Sequence, residues 1–540
     1  MTHRHSSVRR AAGLVAASAL AASGLAALTT APASAAVDAS PGTAGSAWLA
    51  DQLTDGLVVN DQFSFTDLGL SIDVGLALDE FGDTETVALI GKALADQVTT
   101  YYSYPVAEGK VHVTAGSLAK AAVFASVSGN DPEAFGGQNL VDQLSDRVST
   151  DPASAGRISD VFFPEEQFES DFSNTIGQSF AVAALDEAGS DLTDSATDFL
   201  AAQQCEEGFF RSALGDTLAA DCDADPAAAG STDTTALVVL NLLSQTDDTD
   251  VQTIVDDAAD WLRSTQATNG SWGGEAPTEA PNANSTGLAA WALGELGLTA
   301  PAEKGAAYVR ALQADDVAPC TTKLTTEAGS IAYDGAAKTT ARGAGITVEV
   351  QDQFRRATAQ ALPALKWAPE ATGTTVLPAP ARYVNGGSTV RVPVGGVAPG
   401  DTVCAARAGV SAFSEGDQDG VARVPVRIPE KTGSFSFTLN TDEPLGQVTF
   451  EALGATKLPF SFKKTVRRGG RQVVVVRGLA VGESARVIVG KTVKNGEANK
   501  AGKFRVVANV GNRAGKVRVV VRGAFNDRRS AQTFRVLRKR

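Results

Sequence analysis

The stretch QATNGSWGG, residues 266–274, lies between two amphipathic runs and determines the fold class that the sequence predicts. Its pattern is a glutamine, a glycine four residues later and then an aromatic residue. The clearest copies of this corner are Gln52 with Gly56, Gln204 with Gly208 and Phe209, and Gln266 with Gly270 and Trp272; a degenerate copy starts at Gln313. The unit around the corner, roughly 40 to 60 residues long, repeats from Trp48 to about Trp367, which is typical of a repeat architecture.

Each repeat unit continues into a second run that is rich in Ala and Leu and opens near a Thr. Asn, Asp or Ser precedes the Thr in several copies, as expected for a helix N-cap, and Asp233 is predicted to be such a cap. Glycines end several of these runs, which is a helix stop signal. Six units predict six helical hairpins closed into a ring, because closure buries faces that a lone hairpin would expose. The glycine stops are Gly82, Gly129, Gly189 and Gly297.

The corner resembles the QW motif of the terpene cyclase and protein prenyltransferase superfamily, which includes the prenyltransferase/squalene oxidase repeat proteins. The resemblance covers residues 48–367 and implies an α/α toroid. It also implies a structural role for the corner, in which the Gln amide satisfies backbone groups at helix ends and the Trp covers it. Toroids also occur in vitamin B12 carriers of the intrinsic factor type, which bind without turnover, and in polysaccharide lyases.

The resemblance implies one candidate catalytic acid. Cyclases of this family protonate their substrate with a DxDD motif, and the corresponding stretch here, residues 231–234, keeps only Asp233. Protonating an alkene requires a carboxylic acid that is held protonated and is unusually acidic, so the loss of both flanking carboxylates favours a ring without catalytic residues. An isoprenoid cyclase that uses Asp233 stays open as the alternative, as does a protein-interaction scaffold with a packed ring centre.

No metal or cofactor is expected. A zinc site needs Asp, Cys and His, whereas His112 is the only histidine after residue 5 and the cysteines are expected to be oxidised. The stretch DCDAD, 221–225, resembles the start of a calcium loop but has Pro226 and Thr232 where such a loop needs Gly and Glu. The residues predicted to contact a ligand in the ring are Asp233, Thr234, Trp272, Phe209, Tyr101 and Tyr102.

The N-terminus and the cysteines both indicate export. A basic start, a short apolar run and small residues before position 37 are typical of a secretory signal peptide at 1–36. The four cysteines suit an oxidising compartment: Cys205 with Cys222 is the first choice for a disulfide, which leaves Cys320 and Cys404 as a second pair. No later apolar run is long enough to span a membrane, so a secreted protein is expected, with attachment to the cell wall as a further expectation.

The texture of the sequence changes after Trp367. A linker is predicted at 370–384, and a GG-strand-Gly pattern at Asn385 recurs about 83 residues later, which predicts two immunoglobulin-like β-sandwiches at 385–460 and 461–540. Residues 461–540 hold 22 Lys and Arg against 3 Asp and Glu, which leaves 25 basic and 59 acidic residues in 1–460. The basic end predicts binding to an anionic envelope polymer; docking onto the acidic ring, or a merely solubilising face, stays open.

The sequence therefore predicts a multidomain, mainly α plus β bacterial protein, with an α/α toroid of six helical hairpins at 37–369 followed by two immunoglobulin-like β-sandwiches. Its expected function is non-catalytic binding, of an apolar small molecule in the ring and of a cell-surface polyanion through the last domain. Nucleic acid is not an expected partner, because the basic region lacks interleaved aromatic residues.

Overall fold

The computed structural model describes residues 37–166, 170–219, 222–225, 228–376 and 382–538. The predicted signal peptide (1–36) and part of the predicted linker (377–381) lie outside these ranges. Helices dominate up to residue 367 and strands dominate after it. The helices are α1 (Ser40–Ala50), α2 (Leu68–Asp79), α3 (Thr84–Ala95), α4 (Val98–Tyr102), α5 (Ala115–Val127), α6 (Leu140–Ser145), α7 (Thr175–Glu187), α8 (Thr193–Ala201), α9 (Thr232–Leu242), α10 (Thr249–Thr265), α11 (Ala283–Glu295), α12 (Thr299–Leu312), α13 (Gly335–Ala344) and α14 (Val348–Ala361), with 3₁₀ turns at Leu243–Gln245, Thr325–Glu327 and Leu362–Trp367.

Among the described residues, six helices form a closed inner ring. Helices α2, α5, α7, α9, α11 and α14 each pack on the next, and α14 packs on α2. Helices α3, α6, α8, α10 and α12 each follow their inner helix and pack outside it, while α1 completes the outer layer beside α14 and the turn Leu362–Trp367. The amide of Asp38 donates to the carbonyl of Ala368 (2.8 Å), so the ends of the helical region meet. The ring is the predicted toroid, except that its last outer helix comes from the start of the region.

Small residues let the inner helices approach one another closely. A Cβ added at Gly287 on α11 would lie 2.3 Å from the Cα of Ala361 on α14, which is closer than any real Cβ contact. Ala289, Ala290 and Ala292 on the same helix are buried. Close approach of two backbones excludes larger side chains, which explains why the inner runs of the sequence are rich in Ala and Gly.

The glutamine corners hold the outer layer together as the resemblance implies. The amide of Gln266 donates to the carbonyl of Gly270 (3.1 Å) and to the carbonyl of Pro301 (2.9 Å), in the first turn of the next outer helix. Trp272 is buried and its indole N–H donates to the carbonyl of Leu262 (2.8 Å). Each Gln thus links the carbonyl of the turn to a carbonyl of the next outer helix, where it adds a second hydrogen bond to an acceptor that the helix already uses. The same pair of bonds recurs at Gln204 (to Gly208 and Ile254) and at Gln313 (to Gly329 and Pro41).

Two corners depart from this pattern. Gln52 donates to the carbonyl of Trp48 and accepts from Arg355, so it bridges to α14 instead of to the next outer helix. Between α6 and α8 the bridging amide belongs to Gln178, which lies on inner helix α7 and donates to Gly156 and Ala196. The bridging glutamine can therefore lie in the outer layer or on an inner helix, provided that its side-chain amide reaches two buried carbonyls.

Hydroxyl groups on the inner helices explain the Thr that opens them. Thr235 accepts from the amide of Phe210 (3.0 Å), Thr286 from the amide of Trp272 (3.0 Å) and Thr358 from the amide of Ile331 (2.8 Å). These threonines are buried, so each bond satisfies an amide that has no water partner. The predicted N-cap is wrong at one position: Ser231 caps α9 by accepting from Thr234, and Asp233 lies inside the first turn. The N-cap is therefore Ser231, two residues before Asp233, and the helix starts at Thr232.

The C-terminal part consists of two modules, each with two sheets. The strands of module 1 are β6 (Thr375–Val376), β7 (Val384–Asn385), β8 (Thr389–Gly395), β9 (Thr402–Arg407), β10 (Val410–Glu415), β11 (Val421–Arg427), β12 (Gly433–Asn440) and β13 (Pro444–Leu453). Those of module 2 are β14 (Phe460–Ser461), β15 (Thr465–Arg467), β16 (Arg471–Val476), β17 (Ser484–Val489), β18 (Thr492–Glu497), β19 (Phe504–Asn509), β20 (Gly515–Arg522) and β21 (Arg529–Leu537). The five remaining strands lie in the helical region: β1 (Leu53–Thr54), β2 (Leu57–Asn60) and β3 (Phe65–Asp67) follow α1, and β4 (Ser103–Ala107) and β5 (Lys110–Val113) precede α5.

The two modules have the same topology. Module 1 has the sheet orders β10-β9-β12-β13-β7 and β11-β8-β6, and module 2 has the equivalent orders β18-β17-β20-β21-β15 and β19-β16-β14. The inward residues of both sheets form one apolar core in each module. The recurrence of the GG-strand pattern therefore reflects a repeated strand arrangement.

Module 1 is tied to the toroid by a disulfide and by buried ion pairs. Cys320 is bonded to Cys404 on β9, and Cys205 to Cys222 within the toroid. Arg310 contacts Asp401 (3.0 Å), and Lys338 contacts Glu415 (2.5 Å). Lys338 is only 3% exposed, so this junction excludes water and fixes one orientation of module 1 on α12 and α13.

Candidate ligand site on the ring axis

The inner helices present one partly exposed stripe to the axis of the ring. Each is buried where it contacts its outer helix and its two ring neighbours. The remaining positions recur at three, four or seven residues, which places them on one helix face. Because that face is partly exposed, solvent reaches the ring axis. The stripes are Gly69, Asp73 and Leu76 on α2; Gly116, Lys120 and Val123 on α5; Ile176 and Ala183 on α7; Asp233, Leu237 and Leu240 on α9; Asn284 and Trp291 on α11; and Asp352, Arg356 and Gln360 on α14.

The wall formed by α9 and α11 contains three buried polar atoms without a hydrogen-bond partner among the described residues. They are the Oδ1 atoms of Asp233 and Asn284 and the Nε1 atom of Trp291. Leaving such an atom unpartnered costs about 1–3 kcal/mol, so each calls for an explanation. Leu237 and Leu240, on the same stripe of α9, are apolar. This wall therefore combines an apolar surface with one acceptor (Asn284), one donor (Trp291) and a carboxyl oxygen (Asp233), which donates when protonated and accepts when ionised.

The carboxyl group of Asp233 is held toward its neutral form. Burial raises its pKa, the nearby Glu275 raises it further, and a hydrogen bond with Ser285 opposes the rise. No Lys or Arg contributes to the shift. A neutral carboxyl group can donate a hydrogen bond, but a raised pKa also makes it a weaker acid than alkene protonation requires.

The opposite wall, formed by α2, α5 and α14, is charged and internally satisfied. Lys120 contacts Asp73 (2.5 Å), and Arg356 contacts both Asp67 and Asp352. Tyr101 lies beside this group, and burial raises the pKa of its phenol. Because these charges neutralise one another, this wall offers less free hydrogen-bonding capacity than the wall of α9 and α11.

The C-terminal ends of the inner helices also meet a closed charge group. Lys366 contacts Glu80 (2.5 Å) and Glu295 (2.5 Å), and its ammonium lies 5.2 Å from the ring centre of Trp367. This lysine links α2 and α11 across the end of the ring. The unpartnered atoms thus lie nearer the other end, where α9 and α11 begin.

The structure places only two of the six predicted ligand residues, Asp233 and Tyr101, near the axis, and it places them on different walls. Tyr102 donates to Gln143 on outer helix α6 (3.0 Å) and is buried. Phe209 packs on Trp261 and on the Cys205–Cys222 disulfide. Thr234 is buried and bonds Ser212 (3.0 Å), and Trp272 belongs to its corner. These four residues build the wall of the ring.

His112 and the acidic loop belong to other parts of the toroid. His112 is buried and stacks on Tyr104, with ring centres 5.6 Å apart. Asp223 accepts from the amide of Glu206, and Asp225 contacts Arg211 (3.4 Å). Asp221 and Pro226 lie outside the described residues. No group of three His, Cys, Asp or Glu within the described ranges is arranged to hold a metal ion.

Sequence analysis missed Asn284, Leu237 and Trp291. The signal for Asn284 and Trp291 is their spacing of seven residues in a run otherwise composed of small residues. The signal for Leu237 is its position four residues after Asp233. That spacing puts each pair on one helix face, but it does not show whether the face points to the axis. Only the closed ring decides that.

No protein-family model matches this chain, and no curated protein matches it significantly. A solved protein from Actinoplanes is 15% identical, with 61% of this chain and 98% of that chain covered and a TM-score of 0.41. The type II terpene cyclase MstE from Scytonema is 14% identical, with 61% of this chain and 96% of that chain covered and a TM-score of 0.40. A Ca²⁺-stabilized adhesin of an Antarctic bacterium is 15% identical over 31% of this chain and 48% of its own, with a TM-score of 0.19. The toroid is therefore established by its closed ring of helices, and its activity has to be argued from the residues on the axis.

Proposed function

We propose that this protein is a non-catalytic binding protein whose helical ring holds a small, mostly apolar molecule with a few polar groups. The observation that carries the proposal is the wall of α9 and α11, where Asp233, Asn284 and Trp291 have unpartnered polar atoms beside Leu237. A ligand with one donor and one or two acceptors would satisfy atoms that the protein leaves open. The charged wall of α2, α5 and α14 limits the apolar part of the ligand to one side.

Binding without catalysis is favoured by the environment of Asp233. The positions on either side of it, Thr232 and Thr234, are hydroxyl residues that serve the fold: Thr232 donates to the carbonyl of Gly273 and Thr234 bonds Ser212. The raised pKa favours the neutral carboxyl group and gives no added acidity. The group therefore fits a hydrogen-bond donor to a ligand better than a proton donor to an alkene.

A filling variant tests this proposal. N-phenyl-1-naphthylamine, a neutral apolar probe whose fluorescence rises in apolar surroundings, is titrated into the protein. Leu237→Trp adds an indole to the axis, whereas Leu89→Trp adds one on α3, at a side chain that is 50% exposed on the outer layer. We expect the wild type and Leu89→Trp to bind the probe equally and Leu237→Trp to lose binding. Equal binding by all three, or no binding by the wild type, would contradict the proposal.

The second candidate is an isoprenoid cyclase that uses Asp233, which is supported by the burial of this carboxyl group and the upward shift of its pKa. Under this reading the protein converts squalene to a cyclic product, and Asp233→Asn abolishes the product while the fold survives. Asp250→Asn, in the exposed first turn of outer helix α10, is the matched control. An unchanged product yield in Asp233→Asn, or no product from the wild type, rejects the cyclase.

We also infer an extracellular location and a spacer role for the modules. The two disulfides support secretion, since such bonds persist in oxidising compartments. The cores of the toroid and of the two modules are separate apolar clusters, which supports three domains, but β6 lies inside the predicted linker 370–384 and Leu458, before the predicted boundary at 460, belongs to the core of module 2. Two sheets packed on one core, antiparallel except for the pairs β7–β13 and β15–β21, support an immunoglobulin-like architecture for each module.

A further inference from the structure

Module 2 exposes a large unpaired positive charge. Residues 461–540 contain 22 Lys and Arg against 3 Asp and Glu. Within residues 461–538, Arg528 alone makes an ion pair, with the buried Glu483 (2.7 Å). The other cations of that range have no carboxylate of a described residue within 4.0 Å. A single-sign surface of this size costs stability by self-repulsion, so it indicates an anionic partner.

Three arginines lie side by side on the outward face of the five-stranded sheet. Arg522 on β20 is directly opposite Arg486 on β17 and, on its other side, directly opposite Arg529 on β21. Val487 and Val521, the neighbours of this row in sequence, point into the core, which confirms that the arginines point outward. We call Arg486, Arg522 and Arg529 the arginine row.

The arginine row is arranged for a ligand. Like charges directly opposite one another across strands are destabilising. In addition, the Nε atom of Arg522 is buried and has no hydrogen-bond partner among the described residues. Glu497 lies opposite Ser484 at the edge of the sheet and Asp527 lies two residues before Arg529, and neither makes an ion pair within the described chain. An anion bound to the arginine row would reduce the repulsion among the three arginines and would accept a hydrogen bond from the Nε–H group of Arg522.

A second basic position lies along the same face. Lys516 on β20 is directly opposite Arg535 on β21, and Arg518 lies between this pair and the arginine row. Lys516 and Arg522 are six residues apart on one strand, which corresponds to about 20 Å at about 3.4 Å per residue. A single phosphate cannot reach both positions, whereas a chain of phosphates can.

The equivalent face of module 1 is already an interface. The strand order equates the arginine row with Cys404, Asn440 and Pro444, which are in cross-strand register in module 1. Cys404 is the residue that is bonded to the toroid. In module 1 this face therefore contacts the toroid. In module 2 the equivalent positions are arginines.

We propose that the arginine row and the Lys516–Arg535 pair bind a linear phosphate polymer that lies across the outward face of module 2. Arginine forks match phosphate oxygens in two-point hydrogen bonds, and the charge is complementary. Of the described aromatic residues of module 2, Phe460, Phe462, Phe504 and Phe534 belong to the core or pack against it, which leaves Phe525 in the turn between β20 and β21, so this face offers at most one ring for a stacked base. The chemistry therefore favours a phosphate chain without bases over nucleic acid. The proposal is independent of the ligand in the ring.

The test compares two variants that lose the same charge in the full-length secreted protein. In the row variant Arg486, Arg522 and Arg529 become Gln, and in the control variant Arg471, Arg505 and Arg513, which are exposed on or beside the other sheet, become Gln. Binding of end-labelled inorganic polyphosphate is measured by fluorescence anisotropy, with orthophosphate and single-stranded DNA as competitors. We expect Kd to rise about tenfold or more in the row variant and to change little in the control.

Each other outcome overturns the proposal. No binding by the wild type, or equal losses in both variants, shows diffuse attraction without a built site. Competition by orthophosphate at equal phosphate concentration shows a single-anion site, and tighter binding of DNA shows a nucleic-acid partner. A change of oligomeric state in the row variant without polymer shows that the face binds a second copy of the chain. Thermal unfolding of both variants checks the fold, and we expect the row variant to melt no lower than the control.

Discussion

A corner glycine, Gly270, and a helix-stop glycine, Gly297, give the sharpest stability prediction, because the two positions separate the cost of backbone strain from the cost of close approach. Gly270 has φ +85°, and a Cβ there would lie 2.2 Å from the carbonyl oxygen of Lys304 in the next outer helix. Gly297 has φ +76°, but a Cβ there would meet nothing within 4 Å. The substitution of each by Ala imposes the same left-handed conformation on an L-residue and differs only in the clash.

The expected costs follow from these two facts. The left-handed conformation costs Ala about 1 kcal/mol relative to Gly, and this is the whole expected effect of Gly297→Ala. In Gly270→Ala the backbone oxygen of Lys304 cannot rotate away, so the corner and the outer helix have to separate. Overpacking of this kind adds about 1–3 kcal/mol, for a total of about 2–4 kcal/mol.

Urea unfolding followed by tryptophan fluorescence measures both variants, since Trp272 is buried beside the corner. We expect the midpoint of Gly270→Ala to fall well below that of Gly297→Ala, with unchanged slopes. Equal midpoints for the two variants would refute the reasoning, because they would show that the corner does not press against the outer helix.

Three further predictions concern the toroid and its junction with module 1. Gln313→Leu leaves the carbonyl of Gly329 without this donor and removes one of two donors from the carbonyl of Pro41, which keeps its bond within α1, so we expect a loss of about 1–3 kcal/mol by urea unfolding. Thr286→Val leaves the buried amide of Trp272 unpaired, and we expect a loss of about 1–3 kcal/mol in the free energy of unfolding. Thr286→Ser keeps the hydroxyl group and should retain most of the stability. Burial lowers the pKa of Lys338 from 10.5 to about 8. Between these pH values only the unfolded state binds that proton, so the wild type gains stability from pH 8 to pH 10, and Lys338→Met should lose this gain in matched unfolding curves.

The toroid was predictable because its repeats carry local signals. The glutamine corners, the glycine stops and the small residues of the inner helices each have a direct structural cause. All four glycine stops have positive φ: Gly82, Gly129, Gly189 and Gly297. The shared topology of the two modules was likewise visible as a sequence echo. Local sequence patterns are therefore enough to predict a structure in which the same packing arrangement recurs several times.

The features that the sequence did not reveal depend on ring closure. That α1 completes the last outer position follows from the meeting of Asp38 with Ala368, which are far apart in sequence. Gln178 replaces a missing corner glutamine from the inner layer, and no local pattern indicates this. The ligand wall has the same origin, because whether Asn284 or Thr234 faces the axis depends on the rotation of each helix against two neighbours.

The central claim is that the ring holds a small molecule on its axis, and native mass spectrometry tests it most directly. The protein is purified from its source without detergent and measured beside Leu237→Trp from the same source. We predict a reproducible non-covalent additional mass on the wild type that leaves on denaturation and is absent from the variant. A bare polypeptide mass for both proteins, or the same additional mass on both, would contradict the claim.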